Sequence, residues 1–259
     1  MPQSDQQPIE DQQSLPLTQA SQLLTSFTQF LTICIHNILY YRSIYPAQTF
    51  LTSRAYNLPV HQSRHPKVCS WIRDAVDAVQ TQLGLGVVER IAVVIYDRQA
   101  KVMERWMFDV AGFPTWKGFK EAKGPKTDEE DELAEGAANV ESSIEGKLNW
   151  ADVDEQFRAT IRKLAYAGEK MAPLPDGCTF TVAVELRDEG EAPIGHPQPW
   201  IPTQSNLQTK SREKPSPGQD VGGAKTTPLR AVEAGPLFFE CWVEEGKAKE
   251  QPSPRTSNE

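Results

Sequence analysis

Apolar residues recur at helical spacing over residues 19–41. Leu24, Phe27, Leu31 and Ile38 define one face of this segment, and further apolar side chains occupy the neighbouring angles. A helix that is apolar around most of its circumference requires burial on most sides. The pattern therefore predicts a core helix.

Two further segments repeat with the same period. Residues 63–84 carry an apolar stripe, with Ser63 as the expected N-cap and Gly84 at the end. A third helix is predicted over residues 152–167. The chain between the first two helices, residues 47–60, has the composition of a turn-rich connection.

Four stretches alternate in polarity or are rich in β-branched residues, as strands are. Residues 87–96 and 102–110 flank a short turn and predict a hairpin. Residues 178–187 alternate, and residues 229–245 contain a last strand. Helices and antiparallel strands are thus mixed without repeated βαβ units, which is typical of an α+β domain.

Polar stretches separate and flank these elements. Residues 1–18 and 247–259 are expected to be disordered tails. Residues 117–147 form an acidic insertion with too few apolar side chains to offset the entropy of ordering, so they are predicted to be flexible. Residues 203–226 have the composition of a loose loop. Between the two tails, residues 19–246 form a single predicted domain that includes the insertion and the loop.

Charge and hydropathy narrow the classes of partner. The 259 residues carry a formal net charge of -8, and broad contact with nucleic acid needs clustered Lys and Arg. We therefore expect protein partners and no direct contact with nucleic acid. The N-terminus lacks the basic and apolar regions of a signal peptide. Gln29, His36 and Asn37 interrupt the apolar run over residues 19–41, so no membrane span is expected.

No catalytic or metal-binding pattern accompanies the predicted elements. The sequence contains no phosphate-binding loop, nucleophile elbow or HExxH motif. The acidic run at 128–132 lacks the spaced ligands of a calcium loop. Cys34, Cys69, Cys178 and Cys241 are scattered, which fits reduced thiols in the cytosol or nucleus. The sequence predicts no enzyme, no metal and no cofactor, although a nucleophilic Cys–His pair from distant positions stays an open alternative.

Several blocks of sequence, in the same order, resemble the HORMA-domain family. The blocks are LYYRSIYPAQTF, YNLPVHQSRHPKVCSWIRDAV, PDGCTFTVAVELR, QPWI, TTPLRAV and FFECWVEE. Within the family they are most similar to the accessory subunits of translesion DNA polymerase zeta, which are paralogues of the spindle-checkpoint HORMA protein. The resemblance covers roughly residues 20–110 and 150–246.

The resemblance implies an architecture and a mechanism. The family packs three helices on an antiparallel sheet, and a mobile C-terminal segment called the safety belt, here about residues 187–246, wraps over a short extended peptide of a partner. The peptide pairs with a strand, which is β-augmentation. We therefore expect a non-catalytic adaptor that clasps a peptide of the polymerase zeta catalytic subunit and bridges it to other translesion factors in DNA damage tolerance.

The protein is expected in the nucleus, with the cytoplasm as a second possibility. Alternatives to the expected function stay open. Within the family, the alternative is an adaptor in mitotic checkpoint or meiotic chromosome-axis signalling. A hydrolase of unrelated fold would require a pocket with converging polar groups, for which the sequence offers no candidate.

The resemblance also assigns residues to the peptide site. Trp71 lies where the family has an aromatic residue that contacts the clasped peptide, and Trp200, in a proline-flanked segment, is expected over the same peptide. Both tryptophans have an alternative role as core anchors. Tyr45 and Tyr56 flank the loop between the first two helices and are candidates for the same surface, although packing within the domain is the simpler role.

Two further surfaces follow from the resemblance. Thr226, Glu240 and Trp242 occupy positions that dock the C-terminal domain of the translesion scaffold polymerase, and of these only Trp242 keeps the family's aromatic character. Arg158, on the third helix, matches an arginine used in HORMA–HORMA pairing, which predicts a homodimer or heterodimer. The alternative for Arg158 is solvation of an exposed helix face.

Overall fold

The computed structural model describes residues 17–114, 148–187, 200 and 223–250; the predicted insertion 117–147 and most of both predicted tails lie outside them. In the described part, three long helices pack with a five-stranded antiparallel sheet, and a separate two-stranded sheet contacts the helices. The helices are α1 (Leu17–Tyr41), α2 (Pro66–Gly84) and α3 (Trp150–Lys170). The strands are β1 (Phe50–Ala55), β2 (Leu58–Ser63), β3 (Val88–Tyr96), β4 (Val102–Asp109), β5 (Thr179–Leu186), β6 (Gly223–Ala234) and β7 (Leu237–Gly246). The predicted α+β class is confirmed.

Helix α1 is central to the core, as its apolar circumference predicts. Phe30 stacks on Phe157 of α3 with ring centroids 4.4 Å apart, and Phe27 meets Phe239 of β7 at 5.3 Å. The span Thr18–Tyr41 is long and apolar enough to cross a bilayer by composition, but 67% of its most apolar window is buried inside the protein. Burial in this core accounts for its apolar character.

The helix starts differ from the prediction in one respect. Helix α3 begins after Asn149, whose side chain accepts hydrogen bonds from the backbone N–H groups of Ala151 and Asp152. Helix α2 begins at Pro66, whose missing N–H needs no partner in the first turn. The prediction of Ser63 as N-cap is wrong, because this residue is the last of β2.

A β-hairpin occupies much of the region predicted as a turn-rich connection, so that prediction is wrong for residues 50–60. Tyr56 and Asn57 form its two-residue turn with φ angles of 47° and 59°, as a type I′ turn requires. Strand β1 is exposed over most of its length. A strand with no buried face leaves no alternating apolar pattern in the sequence.

Two polar side chains of α1 hold this hairpin in place. Asn37 Oδ1 accepts a hydrogen bond from the His61 N–H at 2.9 Å, and His36 Nδ1 accepts one from the Ser63 N–H at 3.3 Å. Burial lowers the pKa of His36 to about 4, so its ring is neutral and able to accept at neutral pH. His36 and Asn37, two of the three residues that interrupt the apolar run of α1, therefore satisfy backbone N–H groups of β2 that would otherwise lack a partner.

The C-terminal hairpin extends beyond the predicted strand at 229–245. Strands β6 and β7 are joined by a turn at Gly235, which has a φ of 58°. Strand β6 begins inside the predicted loop 203–226, and the rest of that loop lies outside the described residues. A 3-10 helix over Lys247–Glu250 continues the regular chain into the predicted tail. Polar side chains and a proline conceal β6 in the sequence, and it becomes a strand by pairing with β7.

Candidate functional site

Strand β5 lies at one edge of the five-stranded sheet, whose order is β5-β3-β4-β7-β6. Among the described strands it pairs only with β3, in a register that sets Val182 beside Val93. The Arg187 N–H donates to Val87 O, on the β3 side, and the N–H groups of an antiparallel strand alternate in direction. The Val182 and Val184 N–H groups therefore point to the free edge, where another extended chain can pair.

Three half-buried aromatic side chains gather beside this edge, and we call them the edge aromatic cluster: Tyr45, Trp71 and Phe180. The Trp71 ring of α2 meets the Phe180 ring of β5 edge-on, with centroids 5.1 Å apart. The Tyr45 ring, from the chain after α1, approaches Phe180 at 6.4 Å and 90°. The structure thus brings two of the predicted peptide-site residues together around Phe180, a residue that the sequence did not single out.

The predicted safety belt is described only at its ends and at Trp200. The connection between β5 and β6 joins strands at opposite edges of the sheet. Trp200 belongs to this connection, and it is half-buried and packs against the main hydrophobic core. This contact is compatible with either role predicted for Trp200.

Tyr56 has a different environment from the edge aromatic cluster. It lies in the β1–β2 turn, and its ring is 5.8 Å from the ring of Phe157 on α3. Burial, followed by the nearby charge of Asp154, raises the pKa of Tyr56. The structure places this residue in the packing between the hairpin and α3, and it does not join Tyr45 and Trp71 around Phe180.

The residues predicted to dock a second partner share one face of the C-terminal hairpin. Cross-strand neighbours point to the same face, and Thr226 lies opposite Glu244 and Trp242 opposite Pro228. The Trp242 indole N–H donates to Glu244 Oε1 at 2.8 Å. Glu240, two residues from Trp242 along β7, is exposed on the same side. We call this the outer face, since the helices cover the opposite face of the sheet.

Arg158 is already paired within α3. Its Nη1 donates to Glu155 Oε2 at 3.0 Å, and the two side chains are 35% and 63% exposed. Its Nε is buried and has no hydrogen-bond partner among the described residues. The guanidinium is therefore half-buried and keeps donor capacity for a further acceptor.

A buried charged junction, which the sequence did not reveal, joins distant parts of the chain. Glu104 of β4 is fully buried and accepts hydrogen bonds from Arg42 at 2.7 Å and from Lys249 at 2.6 Å. Arg42 also donates to the carbonyl oxygens of Gly168 and Ala172. The end of α1, the end of α3 and the 3-10 helix after β7 therefore meet at one carboxylate.

The described residues contain no group of three or more His, Cys, Asp or Glu side chains that could hold a metal ion. The four cysteines are not joined by disulfides. Burial raises the pKa of the Cys241 thiol to about 12, so this thiol is protonated at neutral pH and is a poor nucleophile.

Known proteins resemble this chain over most of its length. The HORMA-domain family model matches residues 24–227. The DNA polymerase zeta processivity subunit of Schizosaccharomyces pombe is 30% identical over 219 residues, which cover 84% of this chain and 90% of that protein. The mitotic spindle assembly checkpoint protein MAD2B of Homo sapiens is 28% identical over 178 residues, which cover 67% of this chain and 72% of that protein.

Solved structures share the fold at lower identity. A chain in the crystal structure of the mitotic checkpoint complex aligns with a TM-score of 0.58 and 19% identity, covering 86% of this chain and 98% of that chain. The structure of C. elegans HTP-1 bound to the HIM-3 closure motif aligns with a TM-score of 0.54 and 13% identity, covering 87% and 91%. The chain belongs to the HORMA-domain family, in the group that contains the polymerase zeta processivity subunits and MAD2B.

Proposed function

We propose that this protein is a non-catalytic adaptor that clasps a short extended peptide of the DNA polymerase zeta catalytic subunit along the free edge of β5. It connects that subunit to other translesion synthesis factors in the nucleus. The observation that carries this proposal is the edge of β5 that no described strand pairs with, beside the edge aromatic cluster. The relatives named as polymerase zeta processivity subunits support the choice of partner.

Backbone and side-chain contacts at the β5 edge make different contributions to such a clasp. Backbone hydrogen bonds to β5 hold any extended peptide, and side-chain contacts select among peptides. Trp71, Tyr45 and Phe180 supply rigid apolar surface, which loses little conformational entropy on binding. Trp200, from the chain that leaves β5, adds a further anchor over the peptide. No bond is made or broken, so a catalytic group is not needed.

Two more partners belong to the proposal. Thr226, Glu240 and Trp242 on the outer face dock the C-terminal domain of the translesion scaffold polymerase, and their position on one face of the C-terminal hairpin supports this. The Arg158 Nε, which has no hydrogen-bond partner among the described residues, serves pairing with a second HORMA domain, either a copy of this chain or a relative.

A checkpoint or meiotic-axis adaptor is the second candidate. It is favoured by the names of relatives such as MAD2B, and it would use the same clasp with a different peptide. The 30% identity to the Schizosaccharomyces pombe polymerase zeta subunit, against 25% to the checkpoint protein MAD2A of Dictyostelium discoideum, favours the polymerase.

Overlapping fluorescent peptides that cover the polymerase zeta catalytic subunit of the same organism test the proposal by anisotropy. We expect one region to bind, and Trp71→Ala to weaken its binding about thirtyfold, because a buried aromatic anchor contributes about 2 kcal/mol. Tyr166→Ala removes an aromatic side chain of α3 that is 62% exposed and serves as the matched control. Binding by no peptide, or equal losses in both variants, would overturn the proposal. Tighter binding of peptides from checkpoint or meiotic-axis proteins would favour the second candidate.

A further inference from the structure

The C-terminal hairpin joins the rest of the sheet through one strand pair. Among the described strands, β6 pairs only with β7, and β7 reaches the remaining strands only through β4. The β4–β7 register runs from Glu104 opposite Glu245 to Asp109 opposite Glu240. The chain that leaves β5 returns to the sheet at β6. The far end of that chain is therefore held in the sheet through the β4–β7 pair.

The β4–β7 pair places two carboxylates directly opposite each other. The side chain of Glu104 is fully buried and that of Glu245 is 13% exposed, and like charges in a cross-strand pair are destabilising. Lys249 Nζ donates to Glu104 Oε1 at 2.6 Å and to Glu245 Oε2 at 2.5 Å. Among the described residues, Arg42 pairs with Glu104 but not Glu245, and Lys225 pairs with Glu245 but not Glu104. Lys249 is therefore the cation of the described chain that bridges the two strands.

The chain after β7 follows a path that brings Lys249 to this place. An ideal Cβ at Gly246, the last residue of β7, would lie 2.2 Å from the Val102 carbonyl oxygen at the start of β4. The backbone thus passes too close to β4 for a side chain at this position. The 3-10 helix over Lys247–Glu250 then contacts β4, β6 and β7, and Ala248 packs against the main core. The close approach at Gly246 and the tight helical turn direct Lys249 back towards β4.

We propose that Lys249 is a latch that sets how long a clasped peptide stays bound. This inference rests on the proposed function, in which the chain that leaves β5 covers the peptide. A covered peptide is released when the C-terminal hairpin detaches from β4. Detachment separates Lys249 from at least one of its carboxylates, because Glu104 and Glu245 belong to different strands. Each release therefore breaks a buried hydrogen bond between charged groups, which is stronger than one between neutral groups.

Replacing Lys249 should loosen the hairpin without unfolding the domain. Each carboxylate keeps a cation in the Lys249→Met variant, since Arg42 stays with Glu104 and Lys225 stays with Glu245. The variant loses only the bridge between the strands. This separates it from Glu104→Gln, which leaves two buried cations without their shared carboxylate.

Two measurements test the latch. Amide hydrogen exchange of the free protein reports the opening of β7, and competition with unlabelled peptide gives the off-rate of the catalytic-subunit peptide that binds best in the overlapping set. We expect Lys249→Met to raise both rates about tenfold, the effect of losing a hydrogen bond to a charged group. Exchange in β3 should be unchanged, because the opening is local. Lys249→Arg keeps a cation and should raise the off-rate less than Lys249→Met does.

Two control variants separate the latch from general stability. Lys247→Met removes an exposed cation of the same 3-10 helix that forms no ion pair with another described residue. Val60→Ala truncates a buried side chain of β2 and lowers stability away from the junction. Neither should raise the off-rate. Thermal melts confirm that each variant is folded, and Gly246→Ala, which displaces the 3-10 helix, replaces Lys249→Met if that variant does not fold.

The outcomes distinguish this inference from the proposed function. If peptide binds but Lys249→Met leaves the off-rate or the exchange of β7 unchanged, the latch is overturned while the clasp stands. An off-rate that rises equally in Lys249→Met and in either control would also overturn it, because Lys249 would then act through general stability or charge. If no peptide of the set binds at all, the proposed function fails and this inference fails with it.

Discussion

The two edge strands of the five-stranded sheet differ in how they would meet another chain. Strand β6 contains Pro228, has two irregularities in its register with β7, and contacts α3, where Arg230 donates to Gln156 Oε1 at 2.6 Å. Strand β5 has eight residues, rich in β-branched and aromatic side chains, and no proline. Prolines, bulges and covering helices are the features that keep an edge from pairing. The protein therefore protects the β6 edge and leaves the β5 edge able to pair.

The buried junction also holds the protected side of the sheet in place. Of the variants considered, Glu104→Gln should reduce stability the most. It leaves Arg42 and Lys249 buried without their shared carboxylate, and breaking a buried charge pair costs about 3–5 kcal/mol. Denaturant unfolding measures this loss. The control is Glu155→Gln, whose exposed pair with Arg158 contributes at most about 1 kcal/mol. Similar small losses in both variants would show that the junction does not fasten the C-terminal hairpin.

Trp200→Ala should weaken peptide binding at the β5 edge. We expect the off-rate of the bound peptide to rise about thirtyfold, since a buried tryptophan anchor contributes about 2 kcal/mol and affinity changes appear mainly in dissociation. The melting temperature should change less, although Trp200 touches the core. Phe238→Ala, which truncates a 40% exposed ring of β7, is the control at the protected side. A collapsed melting temperature with an unchanged off-rate would make Trp200 a core residue only.

Val184→Pro tests the free edge directly. It removes an N–H that points away from β3, so we expect peptide binding to weaken about tenfold while the sheet remains folded, the effect of one interface hydrogen bond. Ala183→Pro removes the neighbouring N–H, which faces β3, and should unfold the strand instead. Peptide titration and circular dichroism of both variants distinguish these results. Equal behaviour of the two variants would contradict the assignment of the free edge.

Arg158→Ala should have the smallest effect on stability, because an exposed i,i+3 pair contributes about 0.2–0.5 kcal/mol. Its expected effect is on association: sedimentation should shift towards monomer while peptide binding at β5 is unchanged. Lys163→Ala, which removes a different, exposed cation of α3, is the control. An unchanged distribution of species would show that Arg158 only solvates the helix.

Periodicity predicted the elements that the core covers along their length, and it failed where an element is largely exposed or polar. Helix α1 and strands β3 and β4 carry their pattern because the core covers them. Strand β1 is exposed over most of its length and was taken for a turn-rich connection, and the polar start of β6 was taken for part of the loop 203–226. Hydrogen bonding to a partner strand, which no local pattern records, makes each of them regular.

Local sequence patterns also failed to predict how the residues of the candidate site come together. Trp71 was found by resemblance to the family and Tyr45 by its place beside the loop between the first two helices, but their meeting around Phe180 depends on how α2 and β5 pack. The buried junction likewise combines Arg42, Glu104 and Lys249 from three separate parts of the chain.

By itself, the sequence determined the α+β class, the three helices, most of the central sheet and the resemblance to the HORMA family. These follow from periods of two and 3.6 residues and from ordered blocks of local sequence. Only the tertiary structure decided which strand edge is free, which aromatic rings meet there, and which charges are neutralised. Those properties depend on contacts between residues far apart in the chain, such as Arg42, Glu104 and Lys249, and no local pattern encodes such contacts.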